Sequence, residues 1–130
     1  MFKVVIDTNI FISSRISSSG NPAKIMTLIA DGQIDLYYSP DILDEYQRVL
    51  AYPKFDFTVK SQKASIDDIK NIGCLINPVK SDIFLPDESD RIFYDAAKTS
   101  ESYLITGNIK HFPEEPNILT PTKFIEMYEN

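Results

Sequence analysis

The chain has 130 residues, 43% of them apolar and 25% charged, with a formal net charge of −6 from 19 acids against 13 bases. That length suits one domain, residues 1–130, with a core that needs no disulfide or metal staple. The acidic balance argues against a nucleic-acid coat protein, which needs a broad basic field, while leaving room for an enzyme that recruits divalent cations.

A lone cysteine, Cys74, rules out an internal disulfide. It fits a reducing cytoplasm and reads as a small buried hydrophobe. Nothing resembles a signal peptide, since Asp7 and Arg15 interrupt the N-terminal apolar run. No stretch approaches the roughly 18 uncharged apolar residues of a membrane helix, so a soluble, cytoplasmic protein is expected.

From the N-terminus, Phe2 to Ile6 reads as a strand buried on both faces and ending at Asp7. Ser13 to Pro22 (SSRISSSGNP) reads as a flexible stretch, too short to divide domains. Pro22 opens a helical pattern to Ala30 with Gly32 as its stop, and Gln33 to Ser39 forms a second strand. Pro40 starts an amphipathic helix, Asp41 to Tyr52, that Pro53 ends. A helix over Thr58 to Ile72, a strand over Cys74 to Val79 and a helix over Ser89 to Ser102 follow. Tyr103 to Thr106 is a strand closed by Gly107, Asn117 to Leu119 a short strand, and Pro121 to Tyr128 a final helix. Strands alternating with helices at spacings too long for hairpins predict an α/β domain with a mainly parallel sheet. Such sheets bind ligands at the carboxyl ends of their strands, where Asp7 and Gly107-Asn108 both fall.

Each acid has a simple local explanation. Asp7 before Thr8 suits a turn or a helix N-cap. In PDILDEYQRVL, Asp44 lies about 160° and Asp41 about 140° from the centre of the apolar stripe, facing solvent, whereas Glu45 lies about 100° away on its flank. In LPDESDRIFYDAA, Asp87, Glu88 and Asp90 crowd a helix start, where the macrodipole favours acids. Asp87 or Ser89 suits the N-cap, Asp90 flanks the core at about 90° from the apolar centre, and Asp95 points to solvent. Asp7, Glu45 and Asp90 are thus three inward-biased carboxylates on separate elements. Without bases they repel one another unless a divalent cation joins them, and hard oxygen donors suit Mg²⁺ or Mn²⁺ rather than Zn²⁺. Such ions serve metal-assisted phosphodiester cleavage.

FKVVIDTNIF, PDILDEYQRVL, DESDRIFYDAA and YLITGNIKHFP together resemble the PIN domain family. The branch most similar holds the prokaryotic toxins of type II toxin–antitoxin pairs, the VapC-like ribonucleases. The resemblance spans nearly the whole chain. It implies a three-layer α/β/α sandwich with a central parallel sheet, a divalent-metal-dependent endoribonuclease with Mg²⁺ or Mn²⁺ as cofactor, an RNA substrate, an antitoxin partner and a homodimer. It places the family's metal-site acids on Asp7, Glu45 and Asp90, with Thr8 and Asn9 as the turn that aims Asp7 and steadies a water. Where many members carry a fourth acid this chain has Asn108, which can ligate through its carbonyl but adds no charge. Asp87 would compensate in part if it were not a cap.

His111, the one histidine, reads as packed or hydrogen-bonded locally rather than catalytic. Arg15, Lys24, Arg48, Arg91 and Lys110 are candidates for phosphate contact, Arg15 foremost, against the alternative of solvation or weak surface pairing. A phosphotransfer domain with Asp7 as nucleophile fails locally: Asn9 stands where a dehalogenase-like site needs an acid, and Ile6 and Asn108 break the receiver pattern. A PIN-like binding module of weak activity stays open, because of Asn108 and the net charge.

Overall fold

Val4, Val5 and Ile6 are essentially inaccessible to solvent, and the strand they form, β1 (Lys3–Ile6), is the centre of the sheet. The computed structural model describes every residue from Met1 to Asn130. In chain order the elements are β1, α1 (Thr8–Ile16), α2 (Asn21–Ala30), β2 (Asp35–Tyr38), α3 (Pro40–Leu50), α4 (Val59–Ile72), β3 (Cys74–Leu75), α5 (Arg91–Ser100), β4 (Tyr103–Ile105), β5 (Ile118–Leu119) and α6 (Pro121–Glu129). Short 3-10 turns cover Pro53–Phe55, Glu88–Asp90 and Ile109–His111. All strand pairs are parallel, in the order β3-β2-β1-β4-β5.

From β1 the chain steps outward through β2 to β3, then returns across the sheet to β4 and β5. Right-handed crossovers therefore place the helices of the two sets of connections on opposite faces, giving the three layers expected. Helix α1 packs against α2 and α3, α3 also against α4, α2 also against α6, and α5 lies against β1, β2 and β4. One continuous core of 28 buried apolar residues runs through the sheet and both helical layers. Strand direction reverses its order of use between β1 and β4, and a crevice opens there at their carboxyl ends.

Thr8 to Ile16 departs from the sequence reading. Thr8 and Asn9 do not form a turn, and Ser13 to Ile16 are not loop: they belong to α1, which Asp7 caps from an extended backbone (φ −65°, ψ 150°). The serines give this helix poor propensity, and tertiary burial overrides it. Phe11 is fully buried and stacks on Tyr46 of α3 with ring centroids 4.4 Å apart. The third strand stops at Leu75 rather than Val79, because its partner β2 ends at Tyr38 and Pro78 has no N–H to donate. Cys74 is exposed, not buried, since β3 is an edge strand with a partner on one side only.

Asp95 also differs from expectation. It is 5% exposed and accepts a hydrogen bond from the Ser81 amide at 3.2 Å. The segment after β3 folds over this face of α5 and is held there by Arg91. The Arg91 guanidinium donates to the Ser81 carbonyl (3.1 Å) and hydroxyl (2.9 Å), to the Ile83 carbonyl (2.6 Å) and to Glu88.

Candidate active site

Asp7 is the last residue β1 holds in the ladder, its amide donating to the Ile105 carbonyl at 2.9 Å. Its carboxylate is 6% exposed. One oxygen accepts from the Thr8 amide (2.8 Å) and the other from the Thr106 hydroxyl (2.7 Å). Burial pushes its pKa up to about 6, with the Thr106 bond opposing the rise and the charges of Asp90 and Glu45 adding to it. An acid at the end of a central strand is thus kept in place by a hydroxyl from the neighbouring strand. Thr106 is fully buried, and its oxygen also accepts from the Asn108 amide at 3.0 Å. One hydroxyl therefore fixes both Asp7 and the backbone of the Gly107-Asn108 turn. The only signal of this in sequence is a hydroxyl residue ending the YLIT strand.

Glu45 sits on the flank of α3, its side chain 17% exposed, and accepts a hydrogen bond from the Thr8 hydroxyl. Thr8 thus links two acids, by its amide to Asp7 and by its hydroxyl to Glu45. Arg48, one turn on, approaches Glu45 at 3.4 Å and donates to the Tyr52 hydroxyl at 2.6 Å. Tyr46 points the other way into the core and donates to the Ile6 carbonyl, so α3 is anchored to the strand end that carries Asp7.

Asp90 closes the 3-10 turn before α5, its side chain 15% exposed. Burial and the charge of Asp87 raise its pKa, and His111 opposes the rise. The His111 Nδ1 lies 3.3 Å from Asp90 Oδ2. His111, read as packed or hydrogen-bonded locally, is half-exposed and faces a site acid. Asp87 does act as a cap, accepting from the Ser89 amide (3.0 Å) and hydroxyl (2.8 Å). Asn9 packs against Gly107, where an added Cβ would meet the Asn9 amide nitrogen at 3.3 Å. Gly107 lets α1 and the β4 turn close on each other. Asn9 Oδ1 is a buried acceptor without a hydrogen bond, and Asp90 Oδ2, also buried, has His111 Nδ1 beside it.

Asp7, Asn9, Asp90 and Asn108 line one end of a groove of about 390 Å³, whose other wall carries Tyr52, Lys54 and Phe55. None of the basic residues singled out in the sequence lines this groove, though Arg48 reaches its Tyr52 wall through the hydroxyl. Arg15 lies on another face of α1, over the Phe11 ring at 5.2 Å and 3.6 Å from Asp68 of α4. Arg91 is occupied by its bonds to Glu88, Ser81 and Ile83. Both are corrections to the expected phosphate contacts, and the reason is the same. Each guanidinium has neighbours brought by distant chain segments.

The donors that face the groove are carboxylates and an amide, the oxygen set a hard divalent cation takes. Asn9 Oδ1 lacks a donor, and the charges of Asp90 and Glu45 add to the raised pKa of Asp7, so the chemistry of the donor set fits such an ion. No three acidic, histidine or cysteine side chains are close enough to enclose one.

A family model for the PIN domain matches residues 3–110. The uncharacterized protein MJ1680 of Methanocaldococcus jannaschii is 32% identical over 142 residues, spanning 98% of this chain and 92% of its own. Among solved structures, a chain in the crystal structure of VapBC2 from Rickettsia felis, bound to a DNA fragment from their promoter, has the same fold. It aligns with a TM-score of 0.61 at 18% identity, covering 92% of this chain and 97% of its own.

Proposed function

The chain belongs to the PIN domain family, and from that premise we propose that it is a divalent-metal-dependent endoribonuclease, the toxin of a type II toxin–antitoxin pair. The observation that carries this reading is the buried Asp7 at the β1/β4 crevice, bridged through Thr8 to Glu45 and sharing its groove with Asp90, with its pKa raised to about 6. Asp7, Asp90 and Glu45 would hold Mg²⁺ or Mn²⁺, directly or through its waters, with the Asn108 carbonyl as a neutral donor. When bound, the cation supplies Lewis-acid polarisation of the phosphodiester and a lowered pKa for the attacking water.

The protein's own residues orient these donors. Thr106 and the Thr8 amide fix the two oxygens of Asp7, and the Thr8 hydroxyl turns Glu45 toward it. Asn9, at the head of α1, directs a free carbonyl oxygen into the same region. Arg48 is the residue placed to meet a phosphate at the rim. The toxin role, an antitoxin partner, a homodimer and a cytoplasmic setting come with the family resemblance and the fold shared with a VapBC2 chain.

Cleavage of RNA in Mg²⁺ or Mn²⁺, lost in EDTA and in Asp7→Asn, tests the reading. Equal cleavage by that variant overturns it. A second reading, a PIN-like module that binds RNA or protein with weak activity, is favoured by Asn108 and by the absence of a closed three-acid cluster. Calorimetry separates the two: the nuclease binds Mn²⁺ in the wild type and loses it in Asp7→Asn, whereas the module binds none.

A further inference from the structure

Beside the acids lies a row of aromatic rings that the proposed chemistry does not use. Tyr52 and Phe55 stand nearly parallel, 6° apart with centroids at 6.4 Å, and Phe55 faces Phe57 at 6.0 Å. Tyr52 is 37% exposed, an unusual place for a large ring at the end of a buried helix face. The backbone that presents them is stiff. Pro53 fixes the turn, the Phe55 and Asp56 amides donate to the Tyr52 and Pro53 carbonyls at 3.1 Å each, and Asp56 closes it in the left-handed region at φ 55°. The Gln62 side chain holds the Phe57 carbonyl at 2.9 Å. Cations flank the rings: Lys54 lies 5.1 Å from the Phe55 centroid, and Arg48 bonds the Tyr52 hydroxyl.

Tyr52, Lys54 and Phe55 share one groove with Asp7, Asp90 and Asn108. In a chain of net charge −6, whose other arginines are paired elsewhere, phosphate attraction alone is a weak source of affinity for RNA. Stacking supplies it without net charge, because every base has a π-face, but only when bases are unpaired. Resting on the ribonuclease reading, the geometry points to Tyr52 and Phe55 as the platform on which the unpaired base next to the scissile phosphate stacks, with Arg48 and Lys54 on the adjoining phosphates.

Because the chain has no tryptophan, Phe55→Trp makes a unique fluorescent reporter that keeps a π-face. An unpaired oligoribonucleotide, with EDTA present so that it stays intact, is expected to quench it, and the same strand in a duplex is not. The double variant Tyr52→Leu, Phe55→Leu keeps the apolar volume and loses the π-faces. It is expected to bind the unpaired strand about tenfold to a hundredfold more weakly, and to raise KM more than it lowers kcat. Equal quenching by the duplex, or unchanged affinity in the leucine variant, overturns the proposal. So does a dimer that the leucine variant dissociates while RNA affinity holds, since that gives the face to a second copy. Loss of cleavage in Asp7→Asn with stacking absent leaves the nuclease and removes the platform. Stacking without any cleavage does the reverse.

Discussion

The turn Glu88–Asp90 has a different environment at each end. Glu88 joins the Arg91 cluster, where a guanidinium 11% exposed is matched by a carboxylate, two carbonyls and a hydroxyl. Its pKa is held below the ordinary value by that partner. Asp90 joins the Asp7 groove, where burial and neighbouring acids raise pKa values and the buried Asn9 oxygen goes without a donor. Both regions are rich in charge and set by the same few residues. The matched one fastens a loop to α5, and the unmatched one is where the proposed cation would bind. Unfilled hydrogen-bonding and electrostatic capacity, more than charge density, separates a site from a clasp.

The largest effect expected from this contrast is on chemistry. Asp7→Asn keeps an acceptor for Thr106 and removes the charge, and cleavage in a gel assay should fall about 100- to 1000-fold with the melting transition intact.

The second effect is on stability without metal. Asp7 holds its proton more tightly folded, at about 6, than unfolded, at 3.8. Its ionisation therefore costs the native state nothing below about pH 4 and up to about 3 kcal/mol above pH 6. In EDTA, the stability of Asp7→Asn relative to wild type should grow across that window, by urea melts at stepped pH. Mg²⁺ should shrink the difference by stabilising the wild type. A pH-independent difference would mean that Asp7 is not strained by its surroundings.

A smaller loss is expected from Thr106→Val, which keeps shape and deletes the shared hydroxyl. Leaving the Asp7 oxygen and the Asn108 amide without that partner should cost about 1–3 kcal/mol. The pH at which cleavage half-saturates should also move upward, since the bond that lowers the Asp7 pKa is gone. A purely structural threonine would not move that midpoint. The smallest effect on chemistry is expected from Arg91→Met. It should lower the melting temperature by freeing the loop at Ser81 and Ile83, while cleavage per folded molecule stays as in the wild type. A loss of activity equal to that of Asp7→Asn would merge the two regions into one site.

Much of this site is legible in the sequence because its signals are local. Helical periodicity alone turns Glu45 and Asp90 toward the core flank and sends Asp41 and Asp44 outward, and a run of Val and Ile puts Asp7 at a strand end. The order of strands and helices carries the parallel sheet, and with it the carboxyl edge that holds Asp7. Other features depend on which segment arrives from elsewhere. The stack of Phe11 on Tyr46 turns Thr8–Ile16 into a helix that its serines do not favour. A loop pinned by Arg91 buries Asp95, and the edge position of β3 exposes Cys74. Thr106 becomes the support of Asp7 only when β4 lies beside β1. Periodicity reports which way a side chain leaves its own element, whereas its partners are set by the packing of elements distant in the chain. The sequence by itself therefore determined the acids and their edge of the sheet, and the tertiary structure decided which polar groups are matched and which remain free to bind.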